Sequence, residues 1–346
     1  MRAVVNAAKD TIEIQDRPIP EIAADEVLLK VAGAGLCHSD LSILGRGDER
    51  LIGDILGHEV SGVVEAVGES VADYRPGDAA IVSLVLSCGH CRECLRGRQN
   101  QCREIANRKV SAPLSPGIGR DGGMAEYIAV KEQHLDPLGG LSPRDAAPLS
   151  DAALTSMHAV NSVRDRLDSD ATVLLLGLGG LGHVALQILA ATTGARIIAA
   201  DTDGRKVDYA AEHGADLALV SGKDTAERVL KETDGWGADV VLDFVGIEPT
   251  VETTKACIAT GGQVRLVGIG GGTIDYGPRT NGLPWGVNVE RAYGGNRSDM
   301  REVLALAQAG KISLELTHYD LEDAKEAFDD LANGRIQGRA VLVPGA

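Results

Sequence analysis

Short segments of alternating apolar and polar residues fill the first third of the chain, and Gly, Pro or Asp residues separate them. This alternation predicts strands that bury one face, and the frequent turn residues predict a small antiparallel, barrel-like unit. The clearest segments are EVLLKVAGAG, SGVVEAVG, DAAIVSLV and AEYIAV. We therefore expect an all-β unit at the start of the chain.

Beyond about Pro143 the pattern changes to continuous apolar strands that alternate with helical segments. The strand segments are TVLLL, ARIIAA, LALV, ADVVLDFV and GQVRLVGI. The helical segments include GHVALQILAATT, RKVDYAAEH and TAERVLKET. Strands without polar alternation are typically buried on both faces, so this part predicts a doubly wound parallel sheet with helices on each side.

The pattern after Val289 is mixed again. Helical segments REVLALAQAG and LEDAKEAFDDLANG precede a closing strand, GRAVLVP, which we expect to return to the first unit. The fold class is therefore α/β, with a barrel-like domain over residues 1–149 and 288–346. The parallel-sheet domain is expected over residues 150–287.

Length and composition agree with this division and exclude several functions. A chain of 346 residues is too long for one ordinary core. A formal net charge of −16 excludes nucleic acid and anionic membranes as expected partners, because both bind basic surfaces. The apolar stretch 172–191 is as long as a membrane span, but its glycines and His183 predict a strand, a turn and a helix instead. Clustered cysteines and the absence of an apolar leader predict a cytoplasmic protein.

Four cysteines lie within fifteen residues: Cys88, Cys91, Cys94 and Cys102. Their spacing allows consecutive thiolates to surround one ion and the last to close a tetrahedron, as in structural zinc sites. A bacterial iron–sulfur run would have three residues before its last Cys and Pro after it, whereas here there are seven and then Arg103. Two disulfides or inert thiols remain the alternative. We predict a structural zinc lobe over residues 86–104.

A glycine loop lies between the strand TVLLL and the next helical segment: Gly177, Gly179, Gly180, Leu181 and Gly182. Such glycines let the backbone approach a pyrophosphate, whose charge then meets the helix N-terminus. The next strand ends in Asp201, where a carboxylate binds ribose hydroxyls and repels a 2′-phosphate. The sequence therefore predicts NAD as the cofactor. Arg205 lies nearby and could accept a phosphate, so NADP stays an alternative.

Two further clusters carry ligand-like residues. The segment CHSD brings together Cys37, His38 and Ser39, and the segment GHE places His58 beside Glu59. A single Cys or His is usually structural, but a thiolate, an imidazole and a carboxylate occur here in a chain that already has a zinc lobe. They predict a second metal site.

Together these motifs resemble the zinc-dependent medium-chain alcohol dehydrogenases. CHSD, GHE, the cysteine lobe, GLGGLG with Asp201 and the closing GRAVLVP follow the family's order over the whole chain. Within the family the chain is most similar to bacterial NAD-dependent secondary-alcohol dehydrogenases. The resemblance implies a GroES-like antiparallel β-barrel catalytic domain and a Rossmann domain. It also implies two zinc ions per chain, NAD, a small alcohol or ketone substrate, and a homo-oligomer, either a tetramer or a dimer.

The resemblance also assigns the catalytic metal ligands. Cys37 and His58 would bind the catalytic zinc, with Glu59 as an alternating or outer ligand. The third ligand is often Cys in relatives and would here be Asp151. An Asp at this place is also a good helix N-cap, and this alternative stays open.

Further roles follow from the same resemblance. Ser39 would form a hydrogen bond with the substrate oxygen, accept the proton of the alcohol and pass it on. Ser42 stands where the family usually has a relay His, so the route by which this proton leaves the site stays open. Leu84 and Trp285 are expected at the substrate. The remaining cofactor contacts are expected from His38, Arg205, Val245, Val267, Ile269 and Arg339.

The sequence therefore predicts a zinc enzyme that transfers hydride reversibly between an alcohol, above all a secondary alcohol, and NAD. A polyol or sugar dehydrogenase of the same family is one alternative. A zinc-free NAD(P)H-dependent reductase of activated double bonds is another, although Cys37, His58 and Asp151 argue against it. A non-enzymatic, metal-stabilised nucleotide-binding protein is the third.

Overall fold

The structure is a computed structural model that describes residues 1–106, 114–275, 277 and 282–345. It divides into two compact units. The barrel unit comprises Met1–Leu154 and Gly294–Ala346, and the parallel-sheet unit comprises Thr155–Tyr293. The expected domain boundaries lie a few residues earlier, at 149/150 and 287/288, and the domain roles attached to them stay a prediction.

Strands and helices are numbered separately, each in chain order. The strands are β1 (Arg2–Ala8), β2 (Thr11–Asp16), β3 (Glu26–Leu36), β4 (Glu59–Val67), β5 (Ala79–Val82), β6 (Tyr127–Lys131), β7 (Leu135–Pro137), β8 (Thr172–Leu176), β9 (Arg196–Asp201), β10 (Leu217–Val220), β11 (Ala238–Asp243), β12 (Ile258–Leu266), β13 (Asn288–Arg291), β14 (Leu316–Asp320) and β15 (Arg339–Val343). The helices are α1 (His38–Arg46), α2 (Arg92–Leu95), α3 (Ala152–Asn161), α4 (Gly182–Thr192), α5 (Gly204–Glu212), α6 (Thr225–Glu232), α7 (Glu248–Cys257), α8 (Arg297–Gln308) and α9 (Ala324–Ala332). Short 3-10 turns occur at Glu49–Leu51, Gln99–Gln101, Glu132–His134, Ala147–Ser150, Arg164–Arg166 and Leu321–Asp323.

The main sheet of the barrel unit runs in the order β14, β15, β3, β4, β5 and β7, and β6 also pairs with β3. Its pairs are antiparallel, apart from the parallel pair β14–β15. Leu29, Val60 and Leu342 are fully buried in its core. The closing strand β15 pairs with β3, so the end of the chain lies in the same sheet as its first third.

The parallel-sheet unit has the strand order β10, β9, β8, β11, β12 and β13, and all pairs are parallel. All five residues of β8 are buried, as its unbroken apolar run predicts. The chain leaves β8 for β9 on one side and later reaches β11 on the other. Ligands of open α/β sheets bind beyond the carboxyl ends of the strands at such a reversal, and the glycine loop follows β8 there.

Candidate metal centres and cofactor site

Three buried ligand-type side chains meet in the barrel unit. Potential ligand atoms of Cys37, His58 and Asp151 all lie within 4.8 Å of one another. Cys37 is the N-cap of α1, His58 directly precedes β4, and Asp151 follows the 3-10 turn that leads to α3. Segments far apart in the chain therefore bring a thiol, an imidazole and a carboxylate to one point.

The spacing of these atoms fits a tetrahedral zinc ion. Asp151 Oδ2 lies 3.5 Å from Cys37 Sγ and 3.4 Å from His58 Nε2. Tetrahedral zinc bonds imply ligand atoms roughly 3.3–3.8 Å apart. Three protein ligands are the number typical of catalytic zinc, because the fourth position then takes water or substrate. We call these three residues the catalytic cluster.

Asp40 supports the catalytic cluster, although none of the sequence motifs assigns it a role. Its Oδ2 accepts a hydrogen bond from Cys37 N at 2.9 Å, and its Oδ1 lies 3.3 Å from His58 Nδ1. A carboxylate behind a ligating His fixes the orientation of the ring and increases its basicity. The available signal was its position in the capping box of α1, three residues after Cys37.

The charges around His58 favour a cation at this point. Burial lowers the pKa of His58, but the carboxylates of Asp40 and Asp151 outweigh this effect and hold the pKa well above its ordinary value. Buried carboxylates are costly unless a positive charge compensates them. A metal ion at the catalytic cluster would supply that charge.

Glu59 and Arg339 form a buried ion pair beside the catalytic cluster. Arg339 Nε lies 3.1 and 3.0 Å from the two Glu59 carboxylate oxygens, and Arg339 Nη2 also bonds Glu59 Oε1. Nη2 lies 3.3 Å from Asp151 Oδ2 as well. Burial raises the pKa of Glu59 to about 7, although Arg339 favours the charged form. These hydrogen bonds hold the Glu59 carboxyl group against Arg339. The pyrophosphate contact expected of Arg339 stays a prediction.

The predicted residues His38, Ser39 and Ser42 lie on α1, next to Cys37. Ser39 Oγ lies 3.5 Å from Cys37 Sγ, and Ser42 donates a hydrogen bond to the carbonyl of His38 at 3.1 Å. The His38 side chain is exposed at the first position of α1, and Leu84 is buried. Ser39 is therefore within reach of an oxygen held at the catalytic cluster.

The four cysteines converge as the zinc prediction requires. Cys91 Sγ lies 3.5 Å from Cys94 Sγ and 3.9 Å from Cys102 Sγ, and Cys88 Sγ lies 3.9 Å from Cys94 Sγ. A tetrahedral zinc–thiolate site implies roughly 3.75 Å, whereas a disulfide requires about 2.05 Å. The geometry therefore fits a four-thiolate site and not a pair of disulfides.

Four arginines of this lobe gather around one carboxylate. Glu93, on the short helix α2, forms ion pairs within 4.0 Å with four guanidinium groups, those of Arg92, Arg96, Arg98 and Arg103. A zinc ion with four thiolates carries a net negative charge, and adjacent cations favour thiolate over thiol. Glu93 offsets one of these four positive charges, and the remainder is opposite in sign to the charge of such a site.

The glycine loop has the geometry expected for binding a pyrophosphate. Gly177 has φ +86°, and a side chain on Gly182 would come within 2.8 Å of the Gly177 carbonyl carbon. The loop therefore needs glycine at both positions. Val245 follows β11, and Val267 and Ile269 follow β12, at the same carboxyl edge of the sheet.

Asp201 ends β9 beside this loop. Its Oδ2 accepts a hydrogen bond from Leu178 N at 2.7 Å, and its Oδ1 accepts one from Asp203 N at 2.9 Å. Arg205 is exposed and lies 2.8 Å from the Asp203 carboxylate, which offsets its charge. This arrangement presents a carboxylate, not a free guanidinium, at the place where a ribose is expected. Trp285, in the same unit, is 86% exposed, and its expected substrate contact stays a prediction.

Comparison with known proteins agrees with this geometry. Residues 23–139 match the family described as the alcohol dehydrogenase GroES-like domain, and residues 180–309 match the zinc-binding dehydrogenases. An NAD-dependent alcohol dehydrogenase of Sulfurisphaera tokodaii is 35% identical, with 96% of each chain covered. The chain belongs to the zinc-type alcohol dehydrogenase family. The catalytic cluster and the cysteine lobe occur in its barrel unit, as the motifs predict.

Two further similar proteins extend the comparison. The D-arabinose 1-dehydrogenase (NADP(+)) of Saccharolobus solfataricus is 33% identical over 99% of this chain and 97% of its own length. The solved alcohol dehydrogenase of Aeropyrum pernix has a TM-score of 0.90 and 30% identity, and the match covers 99% of this chain and 100% of that one. Both the GroES-like and the Rossmann-like predictions of fold are thereby confirmed. Among the described residues no helix is long and apolar enough to cross a membrane.

Replacing Asp201 tests the cofactor preference within this family. Asp201→Ala should weaken NAD binding by about 1–3 kcal/mol, because it removes a charge-assisted partner of the ribose. NADP use should rise relative to NAD, because a repulsive charge is lost. Kd values for both cofactors measure this effect. Asp201→Asn is the matched control, since it removes the charge but keeps one acceptor for Leu178 N. A parent enzyme that already prefers NADP would contradict the assignment.

Proposed function

We propose that this protein is an NAD-dependent zinc alcohol dehydrogenase that interconverts secondary alcohols and ketones. The observation that carries this proposal is the buried catalytic cluster, in which three ligand atoms lie within 4.8 Å of one another. Zinc bound there would lower the pKa of an alcohol held in its open position, and NAD would accept the hydride.

The residues of the barrel unit then have distinct tasks. Cys37, His58 and Asp151 would hold the metal, and Asp40 would orient His58. The Ser39 hydroxyl would accept the proton of the alcohol while it donates its own proton to a ribose hydroxyl of the cofactor or to water. Glu59 pairs with Arg339, so its carboxylate would stay off the metal and leave room there for the substrate.

The parallel-sheet unit supplies the cofactor site. The backbone of the glycine loop, Gly177 to Gly182, binds the pyrophosphate at the N-terminus of α4. Asp201 accepts hydrogen bonds from the ribose hydroxyls. Val245, Val267 and Ile269 line the carboxyl edge of the sheet, where the nicotinamide end is expected.

An absorbance screen tests the reaction. Secondary, primary and polyhydric alcohols are offered with NAD and with NADP, and formation of the reduced nicotinamide is measured. The proposal predicts the highest kcat/KM for a secondary alcohol with NAD. Faster turnover of polyols or sugars would favour a function like that of the D-arabinose dehydrogenase relative.

Zinc removal separates the remaining alternatives. Alcohol oxidation should disappear with the catalytic zinc and return when zinc is restored. Double-bond reduction that survives complete zinc removal would instead show a zinc-free reductase. The absence of turnover with every alcohol would favour a non-enzymatic role. The homo-oligomer and the cytoplasmic location stay predictions, and light scattering would test the first.

A further inference from the structure

The Glu59–Arg339 ion pair spans a strand that lies between its two partners. Strand β3 pairs with β4 on one side and with β15 on the other. Within β3, Gly35 is opposite Glu59 on β4 and opposite Val341 on β15, and Arg339 is the first residue of β15. The Glu59 side chain must therefore pass over Gly35 to reach Arg339.

The missing side chain of Gly35 makes this crossing sterically feasible. A Cβ atom at Gly35 would overlap Glu59 Oε2 and lie 2.9 Å from both Cβ and Cδ of Glu59. Gly35 is not among the glycines with positive φ, so its backbone conformation suits any residue. The requirement for glycine here is one of space, and the atoms that fill this space belong to Glu59.

A displaced Glu59 carboxylate would remain close to the catalytic cluster. Glu59 is fully buried and directly follows His58 in the chain. Arg339 Nη2 lies between the two carboxylates, since it bonds both Glu59 and Asp151. The metal position beside Asp151 is therefore a source of positive charge close to a carboxylate forced off Arg339.

We propose that Gly35 is a positioning residue that holds the Glu59 carboxylate on Arg339 and away from the catalytic metal. This inference rests on the proposed catalytic zinc. A side chain at residue 35 removes the resting place of the carboxylate, which then closes the open position of the metal. Gly35 thereby keeps the fourth position available to substrate.

A double-variant cycle tests the proposal through zinc release. Wild type, Gly35→Ala, Glu59→Gly and the double variant are mixed with a chelator, and the release rate is followed. Gly35→Ala should slow release from the catalytic site about tenfold, because the metal gains a carboxylate ligand. The double variant should release zinc as fast as Glu59→Gly. The Asp151→Ala variant should hold zinc in the cysteine lobe alone, so its release curve shows which part of the signal comes from that lobe.

A second glycine of β3 provides the control that distinguishes an effect on the position of Glu59 from a general loss of packing. Gly33 lies two residues earlier on β3, and a side chain there would meet the backbone carbonyl of Arg144 instead of Glu59. Gly33→Ala should lower the melting temperature but change zinc release equally with and without Glu59. If Gly35→Ala speeds release, leaves it unchanged, or acts equally in both backgrounds, the proposal is wrong.

The cycle remains informative if Gly35→Ala does not fold. The double variant with Glu59→Gly should then be soluble, because the overlapping atoms are gone; an insoluble double variant would overturn the proposal. Arg339→Gln would also remove the partner of Glu59, and it removes the Arg339 contact with Asp151 in every background. It should therefore slow zinc release more when Glu59 is present than in the Glu59→Gly background. The measurement of zinc release needs no alcohol. If the effect of Gly35→Ala on release depends on Glu59 but the protein oxidises no alcohol, the proposed function is wrong and this inference stands.

Discussion

Replacing Asp151 with Ala should lower the zinc content from about two ions per chain to about one and reduce alcohol oxidation by orders of magnitude. Cys37 and His58 would remain as the only ligands of the catalytic cluster, and two protein ligands hold an open zinc site poorly. The lobe of Cys88, Cys91, Cys94 and Cys102 should keep its own ion. Metal analysis and steady-state kinetics of the purified variant measure both effects.

Two other substitutions separate a metal ligand from a helix cap. Asp151→Asn keeps a side chain that caps helices as well as Asp does, but it loses the charged ligand. Asp151→Cys provides a thiolate, which zinc binds well, but a poorer cap. A ligand role predicts zinc loss in Asp151→Asn and zinc retention in Asp151→Cys. Retention of both ions and most activity in Asp151→Ala and Asp151→Asn would show that Asp151 is only a cap.

The buried parallel strands were predictable because their sequences carry a strong signal. The segments TVLLL and LALV coincide with β8 and β10, and β9, β11 and β12 overlap their predicted segments. Strand β13 was not predicted, because its residues NVER are mostly exposed and form no apolar run. The β1–β2 hairpin at the start of the chain was also missed.

The local motifs of the site were predictable, but the contacts between them were not. Cys37, His58 and the four lobe cysteines stand in short segments whose chemistry is evident from residue type. Glu59 and Arg339 are 280 residues apart, and no local pattern indicates that they meet. The reason for glycine at position 35 likewise becomes visible only when β3 is placed between β4 and β15.

The cysteine lobe should matter for stability and not for turnover. Cys94→Ser should lower the melting temperature by about 10 °C, because it removes a ligand of a structural zinc ion. Structural zinc contributes about 10 kcal/mol or more to the folding of zinc-finger peptides. A loss of about a third of that free energy is enough for such a shift. Cys94 Sγ lies 3.5 Å from Cys91 Sγ and 3.9 Å from Cys88 Sγ, so its loss opens the tetrahedron. Thermal unfolding and zinc content measure the effect.

The neighbouring residue supplies the control for this variant. Leu95 is 76% exposed on α2 and offers no ligand atom, so Leu95→Ser should leave the melting temperature within about 1–2 °C of the wild type. Because the catalytic cluster is built from other residues, the folded fraction of Cys94→Ser should keep the kcat of the parent. A Cys94→Ser protein that retains its melting temperature but loses kcat would contradict this division of roles between the two metal sites.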